Sequence, residues 1–442
     1  MPVVVPAHPQ WGRNNANEKK ANGSTRRILT QPWVKVASQV VGSKSIFIGA
    51  VEIGTSKIVV LVGECTGRET AIIGVGECES AGVVKGTIVD YRAVSECVGL
   101  ALEKAESAAS ERIDRVFLAQ SGDHLNGFYN EGSVTVRATD NMIGTGDIAD
   151  VCDLAQNKCL PPGQRIIDSI RRPFRVDGRL VPDSPENLVG KKLEVGYWTV
   201  LGSEQKIADN IHIISGFNLQ VHELILSSLA SGFIVTNQEE RQNGILVLDI
   251  GGGTTDFVLY RDGTPHTTGV LPVGGRHFTN DLGIGLRLRP AQAEKLKLRY
   301  GRSLVQNRND TEKVWLDGSY SVGDRTFARR EIEKITSARA WEFFDVVKRK
   351  LGNAFSPESC SCGVVLTGGG AKLPAIAECA SKVFGTHAQL GKPSLWIHDD
   401  LCGPEFHTVV GTLYYGIKVS SEHTYTESQK SRLLRFWRRL FP

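Results

Sequence analysis

The sequence predicts an α/β protein with length for two domains, in which one strand–turn–strand device suited to a polyanion occurs twice. Three observations carry this. A β-branched, apolar strand–turn–strand from Ile46 to Glu64 closes on Gly54-Thr55-Ser56-Lys57. The same layout returns in GILVLDIGGGTTDFVLYRDG. There a buried strand from Ile245 to Leu248 leads through Asp249 into Gly251-Gly252-Gly253-Thr254-Thr255, and a second strand runs from Phe257 to Tyr260. A third strand runs into Gly368-Gly369-Gly370 within VVLTGGGAKLPAI, and a helix is expected to open near Leu373-Pro374, where proline suits a first turn.

Taken from the N-terminus, residues 1–45 carry Arg13, Lys19, Lys20, Arg26, Arg27, Lys35 and Lys44 against the single acid Glu18. Rich in Pro, Asn, Gly and Lys, they read as a disordered basic extension; an upstream, mis-assigned start codon is the alternative origin. The rest of the 442 residues is long enough for two sizeable domains, and 41% hydrophobic with 23% charged residues is ordinary globular composition. Net charge is +4, but with both ends basic the body between is acidic, which speaks against nucleic acid as a partner. Nine cysteines lack the close pairs of zinc sites and are expected to be reduced thiols. No apolar run approaches the roughly 18 residues of a membrane span, and the N-terminus lacks a signal-peptide h-region.

The loops have readable chemistry. Glycines let backbone N–H groups approach phosphate oxygens, the Thr and Ser hydroxyls add donors, and Lys57 adds charge. Asp249 and Asp256 bracket the second loop and disfavour bare phosphate, so a cation is expected between them, most simply Mg²⁺ with retained waters. The third glycine run suits a base or ribose lying flat. None of the three is a Walker A loop or a strand–G-x-G-x-x-G–helix.

With these motifs in place, the chain resembles the actin-like ATPase superfamily, and within it the FtsA family of bacterial division proteins. Glu52-Ile53-Gly54-Thr55-Ser56-Lys57 is similar to the first phosphate motif, D-I-G-T-S-K. Asp249 to Asp256 matches D-I-G-G-G-T-T-D in full. Thr367-Gly368-Gly369-Gly370 resembles the adenosine motif. Ala293-Glu294-Lys295-Leu296-Lys297 and Val410-Gly411-Thr412-Leu413-Tyr414-Tyr415-Gly416 resemble the two connecting motifs. Arg175-Val176-Asp177-Gly178 and Gly190-Lys191-Lys192-Leu193-Glu194-Val195 resemble the subdomain that this family inserts in its first domain, although Ser184-Pro185-Glu186-Asn187 departs from the usual Pro-Ile-Gly.

The resemblance implies an actin-like fold, two domains of duplicated origin with Mg-ATP in the cleft, and nucleotide-coupled filaments of the chain with itself. Gly54, Thr55, Ser56 and Lys57 would contact phosphates from one side and Gly251, Gly252, Gly253 and Thr254 from the other. Asp249 would stand near Mg²⁺, with Glu52 acting through water, and Glu294, Lys297, Gly368, Gly369 and Gly370 would hold the nucleoside. Glu223, in HELILSSLASG, falls where relatives orient the attacking water; the alternative is a solvated helix residue. Glu52 stands where the superfamily has Asp, and the extra methylene moves the carboxylate about 1.5 Å. ATP binding with weak or absent hydrolysis is therefore expected. The resemblance further implies binding of the FtsZ C-terminal tail on a smaller subdomain, about 290–351. Arg329 and Arg339 are candidates there, the alternative being a charged solvent face. Other division proteins would be further partners.

The chain closes on SRLLRFWRRLFP. On a helical wheel Leu433, Leu434, Phe436, Trp437, Leu440 and Phe441 fall within roughly 160°, and Arg432, Arg435, Arg438 and Arg439 take the other face. That is an interfacial helix for anionic lipids, after a polar linker; a helix docking on protein is the alternative. The expected location is peripheral, on the cytoplasmic face of the inner membrane at the division septum. The expected organisation is extension 1–45, first domain 46–120 and 206–240, inserted subdomain 121–205, second domain 241–418, linker 419–430 and amphipathic helix 431–442. A pilus-assembly ATPase of the same superfamily is the alternative reading; it would reach the membrane through a partner.

Overall fold

The computed structural model describes residues 45–66, 69–157, 159–306, 312–316, 325–393 and 397–423. The predicted basic extension up to residue 44, residues 424–430 of the linker and the terminal helix 431–442 lie outside the described residues; residues 419–423, expected as flexible linker, instead continue a helix that ends at His423.

The first lobe opens with a three-stranded meander, β1 (Ile46–Ile53), β2 (Lys57–Thr66) and β3 (Glu69–Glu79), followed by a small hairpin, β4 (Val83–Val84) and β5 (Thr87–Ile88). Helix α1 (Tyr91–Ala109) starts where the Asp90 side chain accepts the Ala93 N–H, and it buries Val94, Val98, Ala101 and Ala105 on the sheet. Strand β6 (Arg115–Gln120) then pairs parallel with β1.

The chain next leaves for the inserted subdomain: β7 (Asn126–Thr135), α2 (Thr145–Gln156), β8 (Gln164–Arg171), β9 (Phe174–Val176), β10 (Arg179–Val181) and β11 (Lys192–Ser203). Its sheet runs β10-β9-β11-β7 with β8 also on β11, and α2 covers one face around Val151, Ala155, Leu193 and Tyr197. The Asp177-Gly178 pair noted in the sequence is a two-residue hairpin turn, with φ of 49° and 79°. The Asp177 carboxylate also accepts the Lys191 and Lys192 N–H groups.

Returning through α3 (Glu204–Ser215), the chain adds β12 (Gln220–Leu226) parallel to β6, completing the order β12-β6-β1-β2-β3. Helices α4 (Ser227–Val235) and α5 (Gln238–Asn243) lead to the second lobe. There β13 (Ile245–Ile250), β14 (Thr255–Arg261) and β15 (Thr264–Leu271) repeat the meander. Helices α6 (Gly275–Leu286) and α7 (Pro290–Tyr300), the hairpin β16 (Lys313–Leu316) and β17 (Arg325–Ala328), and the long α8 (Arg329–Leu351) come next. Strand β18 (Val364–Thr367), α9 (Ile376–Phe384), β19 (Ala388–Leu390) and α10 (His407–His423) finish the described chain.

The second sheet, β15-β14-β13-β18-β19, has the same pattern as the first: an antiparallel meander whose first strand pairs parallel with a strand from beyond a helical crossover. Glu52 and Asp249 occupy equivalent penultimate positions of β1 and β13.

Four further placements differ from expectation. Helix α10, assigned to the second domain, packs Val409, Val410, Leu413 and Ile417 into the core that holds Ile48, Ala50, Val59 and Leu61 of the first. The smaller subdomain begins at α6 rather than Pro290, because Leu282 and Leu286 share a core with Leu296, Val314, Phe327 and Ile332. Helix α8 serves two cores, since Phe343, Phe344 and Val347 join the main sheet of the second lobe. The helix after the third glycine run starts at Ile376, past Pro374, following a 3₁₀ turn at Gly369–Lys372.

Candidate functional site

The ends of β1, β13 and β18 face a cavity of about 1410 Å³. Its floor is the meeting of the two glycine loops. The first is drawn tight by Gly54 N–H donating to Lys57 O at 3.0 Å, and the second by Gly251 N–H to Thr254 O at 2.9 Å. They touch: a Cβ on Gly252 would lie 1.9 Å from Ser56 Oγ, and one on Gly253 would lie 2.7 Å from Thr55 Oγ1. A side chain at Gly252 or Gly253 would have to displace Ser56 or Thr55 of the first loop.

The charged groups of the floor are under-partnered. Among the described residues, Glu52 Oε2 and Lys57 Nζ are shut off from solvent with no hydrogen-bond partner. Lys57 instead rests 3.6 Å from the Phe406 ring centroid. Burial pushes the Glu52 carboxyl up to about 7 against the pull of Lys57, with Asp249 adding to the rise. Burial likewise pulls Lys57 down, opposed by Glu52. Asp249 is raised to about 6 by burial, although the Thr408 hydroxyl of α10 donates to it. Asp256 is raised well above the usual carboxylate range by burial and by Asp249, and Ser121 donates to it at 2.6 Å.

Buried charge without partners is costly, so this floor is complete only with a ligand carrying both signs. A polyphosphate fits the lysine and the glycine N–H groups. A divalent cation fits the carboxylates, which among the described residues form no group of three or more able to hold a metal alone; such an ion would keep its waters.

The opposite wall suits a nucleoside. On α7, Glu294 and Lys297 pair at 2.8 Å, and Lys297 Nζ also donates to Thr279 Oγ1 at 3.0 Å, which in turn donates to Glu294. Gly368 has φ of 81°, and a Cβ there would lie 2.4 Å from Asp249 Oδ1. Gly369 and Gly370 form the adjoining ledge, and Lys372 and Glu405 close its end as an ion pair.

Glu223 lies on strand β12, three residues before its end at Leu226, and its Oε1 accepts the Tyr415 hydroxyl at 2.8 Å; the alternative of a solvated helix residue does not hold. Glu223 does not line the cavity, whereas Ser227 at the start of α4 does. Arg329 is bound to Glu312 at 2.7 Å and Glu333 at 3.2 Å, and Arg339 to Asp281 and to Glu342 at 2.9 Å, so neither is a free surface cation. Ser121, Arg276, Thr279, Glu405 and Thr408 are site residues that the motifs do not contain. The Gly274-Gly275 pair before Arg276 was the available signal for one of them.

Comparison with known proteins bears on the family and the fold. A family model described as "Cell division protein FtsA" matches residues 246–411, and one described as "SHS2 domain inserted in FTSA" matches residues 122–201. The chain is 30% identical over 377 residues to cell division protein FtsA of Pseudomonas aeruginosa, covering 84% of this chain and 89% of that one. It is 28% identical over 370 residues to the Bacillus subtilis protein of the same name, covering 84% and 83%. Among solved structures, a PilM-PilN type IV pilus biogenesis complex aligns with TM-score 0.58 at 17% identity, over 84% of this chain and 99% of that one. MreB5 of Spiroplasma citri bound to ADP aligns with TM-score 0.52 at 13% identity, over 86% and 98%. These two likenesses speak to the fold alone, which is actin-like.

Proposed function

The chain belongs to the FtsA family of cell division proteins, and from that premise we propose that it binds Mg-ATP in the cleft, polymerises on the cytoplasmic membrane at the septum and tethers FtsZ filaments there. The observation that carries the nucleotide part is the buried, unpartnered pair Glu52 and Lys57 beneath two glycine loops. Gly54, Thr55, Ser56 and Lys57 take phosphates from the first lobe and Gly251, Gly252, Gly253 and Thr254 from the second. Glu294, Lys297, Gly368, Gly369 and Gly370 hold the nucleoside, and Asp249 and Glu52 hold the water shell of Mg²⁺. The bound group supplies charge that completes the floor; the chain's own residues bind and orient it.

Hydrolysis is weak in this reading. Efficient turnover needs a group that aligns water for in-line attack. Glu223 is engaged by Tyr415, and the neighbouring segment offers the cleft only Ser227. FtsZ docking on the smaller subdomain has sequence resemblance as its support. A tail's acids would compete there with Glu312, Glu333 and Asp281 for Arg329 and Arg339. No helix among the described residues is long and apolar enough to cross a membrane, and the proposed anchor is residues 431–442.

Calorimetric titration with Mg-ATP, paired with phosphate-release kinetics, tests the site. Binding that Lys57→Ala weakens by about tenfold, the scale of one lost charge-assisted contact, is expected with little release. Absence of binding, or turnover at the 1–100 s⁻¹ typical of kinases, would overturn it.

A further inference from the structure

Arg276 touches both phosphate loops at once. Its backbone N–H donates to Gly252 O at 2.8 Å, after Gly275 N–H has taken Gly251 O at 2.9 Å. Its guanidinium reaches across to the other lobe, where Nη2 donates to Thr55 O at 2.6 Å. The same group lies 3.5 Å from Val83 O of β4. Arg276 opens α6 and lines the cavity, yet it belongs to none of the phosphate or nucleoside motifs.

The consequence follows from peptide geometry. In a trans peptide the C=O and the following N–H point in opposite directions. Pinning Gly251 O, Gly252 O and Thr55 O therefore turns the N–H groups of Gly252, Gly253 and Ser56 the other way. Among the described residues, no protein acceptor takes any of these three. Three N–H groups held without protein partners are the donor set of an anion nest. On the first loop the pin is the Arg276 side chain.

We infer that Arg276 is a positioning residue for phosphate: it locks the two loops in register and aims the Ser56 N–H at the polyanion. The inference rests on the proposed nucleotide site and adds a residue from outside its motifs. Because the guanidinium acts on the loop carrying the phosphate donors, its loss should weaken ligands according to their phosphates, not their nucleoside.

The test is calorimetry on the full chain and on Arg276→Ala and Arg276→Lys, with Mg-ATP and with adenosine as probes. The expected result is an ATP affinity about tenfold lower in the alanine variant, the scale of one hydrogen bond from a charged group. Adenosine affinity should be unchanged, and lysine should recover most of the loss. An unchanged ATP affinity, or an equal loss for adenosine, overturns the inference, because a merely structural defect would not distinguish the probes. Hydrogen exchange of the nucleotide-free chains is the second readout. Gly54 and Gly86 N–H groups, bonded to Lys57 O and Thr55 Oγ1, hold this loop and should exchange faster in Arg276→Ala. If the wild-type chain fails to bind Mg-ATP, the site reading falls, and this exchange alone decides the clamp: faster exchange upholds it, equal exchange rejects it.

Discussion

His124 sits at the neck where the chain leaves the first lobe for the inserted subdomain, and its Nδ1 accepts the Ser203 N–H at 3.2 Å where the chain comes back. Burial holds the ring neutral, pulling it down to about 4; Lys206 reinforces this and Asp123 opposes it. A base lowered by folding takes its proton more readily when unfolded, so its contribution is intact above about 6.5 and is lost as pH falls toward 4. Asn at this position keeps an acceptor without the titration. His124→Asn should match the wild type near pH 7.5 and exceed it below pH 6, by up to about 3 kcal/mol in denaturant melts at the acid end. Parallel curves would show that the neck does not feel this proton. At the same scale, Gly54 to Lys57 and Asp249 to Thr254 were legible in the sequence because each loop's chemistry lies in one contiguous stretch. Ser121, Arg276 and Thr408 were not, since each reaches the site from a distant segment and carries no local signature. Glu223 rested on resemblance alone, and what the sequence did not show is its place on β12, paired with β6, with its carboxylate taken by Tyr415.

Helix α10 shows what one element must satisfy at once. Its first turn places Thr408 on Asp249 in the cleft, and its middle crosses α4 at backbone distance. A Cβ on Gly411 would lie 2.0 Å from Ala230 O. The Val-Gly-Thr of this stretch was legible as a motif, whereas the reason for the glycine, a helix crossing with no room for a side chain, appears only when α4 is in place. Its assignment to the second domain failed because an apolar helix face does not name the sheet it covers. Gly411→Ala should lower stability by about 1–3 kcal/mol, the usual cost of overpacking, and should weaken nucleotide binding as Thr408 is displaced with the helix. A variant with wild-type denaturation midpoint would mean that α10 can slide without cost. Helix α8 divides along its length in the same way. Its Arg-rich start is tied into the smaller subdomain and its Phe-rich end into the main core, so a motion of that subdomain must bend or pivot this helix.

At the scale of the whole molecule, the folded body and the terminal segment make complementary demands. Each arginine of Ser431 to Pro442 is worth on the order of 1 kcal/mol near an anionic leaflet. Six apolar side chains would add roughly 1–2 kcal/mol apiece before ordering costs if the segment lies on a bilayer as proposed. If that segment folds as the proposed anchor, a helix of its length would be marginal in water, so a single copy would make a reversible anchor and many copies on one filament would bind by avidity. If the nucleotide cleft governs assembly, membrane binding must then depend on nucleotide even though no lipid touches the cleft. Co-sedimentation with anionic liposomes, with and without Mg-ATP, is the measurement, comparing the full chain with one ending at Lys430. The full chain should pellet, more so with Mg-ATP and less at high salt as the arginines are screened; the truncated chain should stay in the supernatant. Equal pelleting of the full chain with and without nucleotide would uncouple the anchor from the cleft and leave the terminal segment a simple tether. If both chains remain soluble, the anchor itself is wrong and the division role must be reached through a membrane-bound partner.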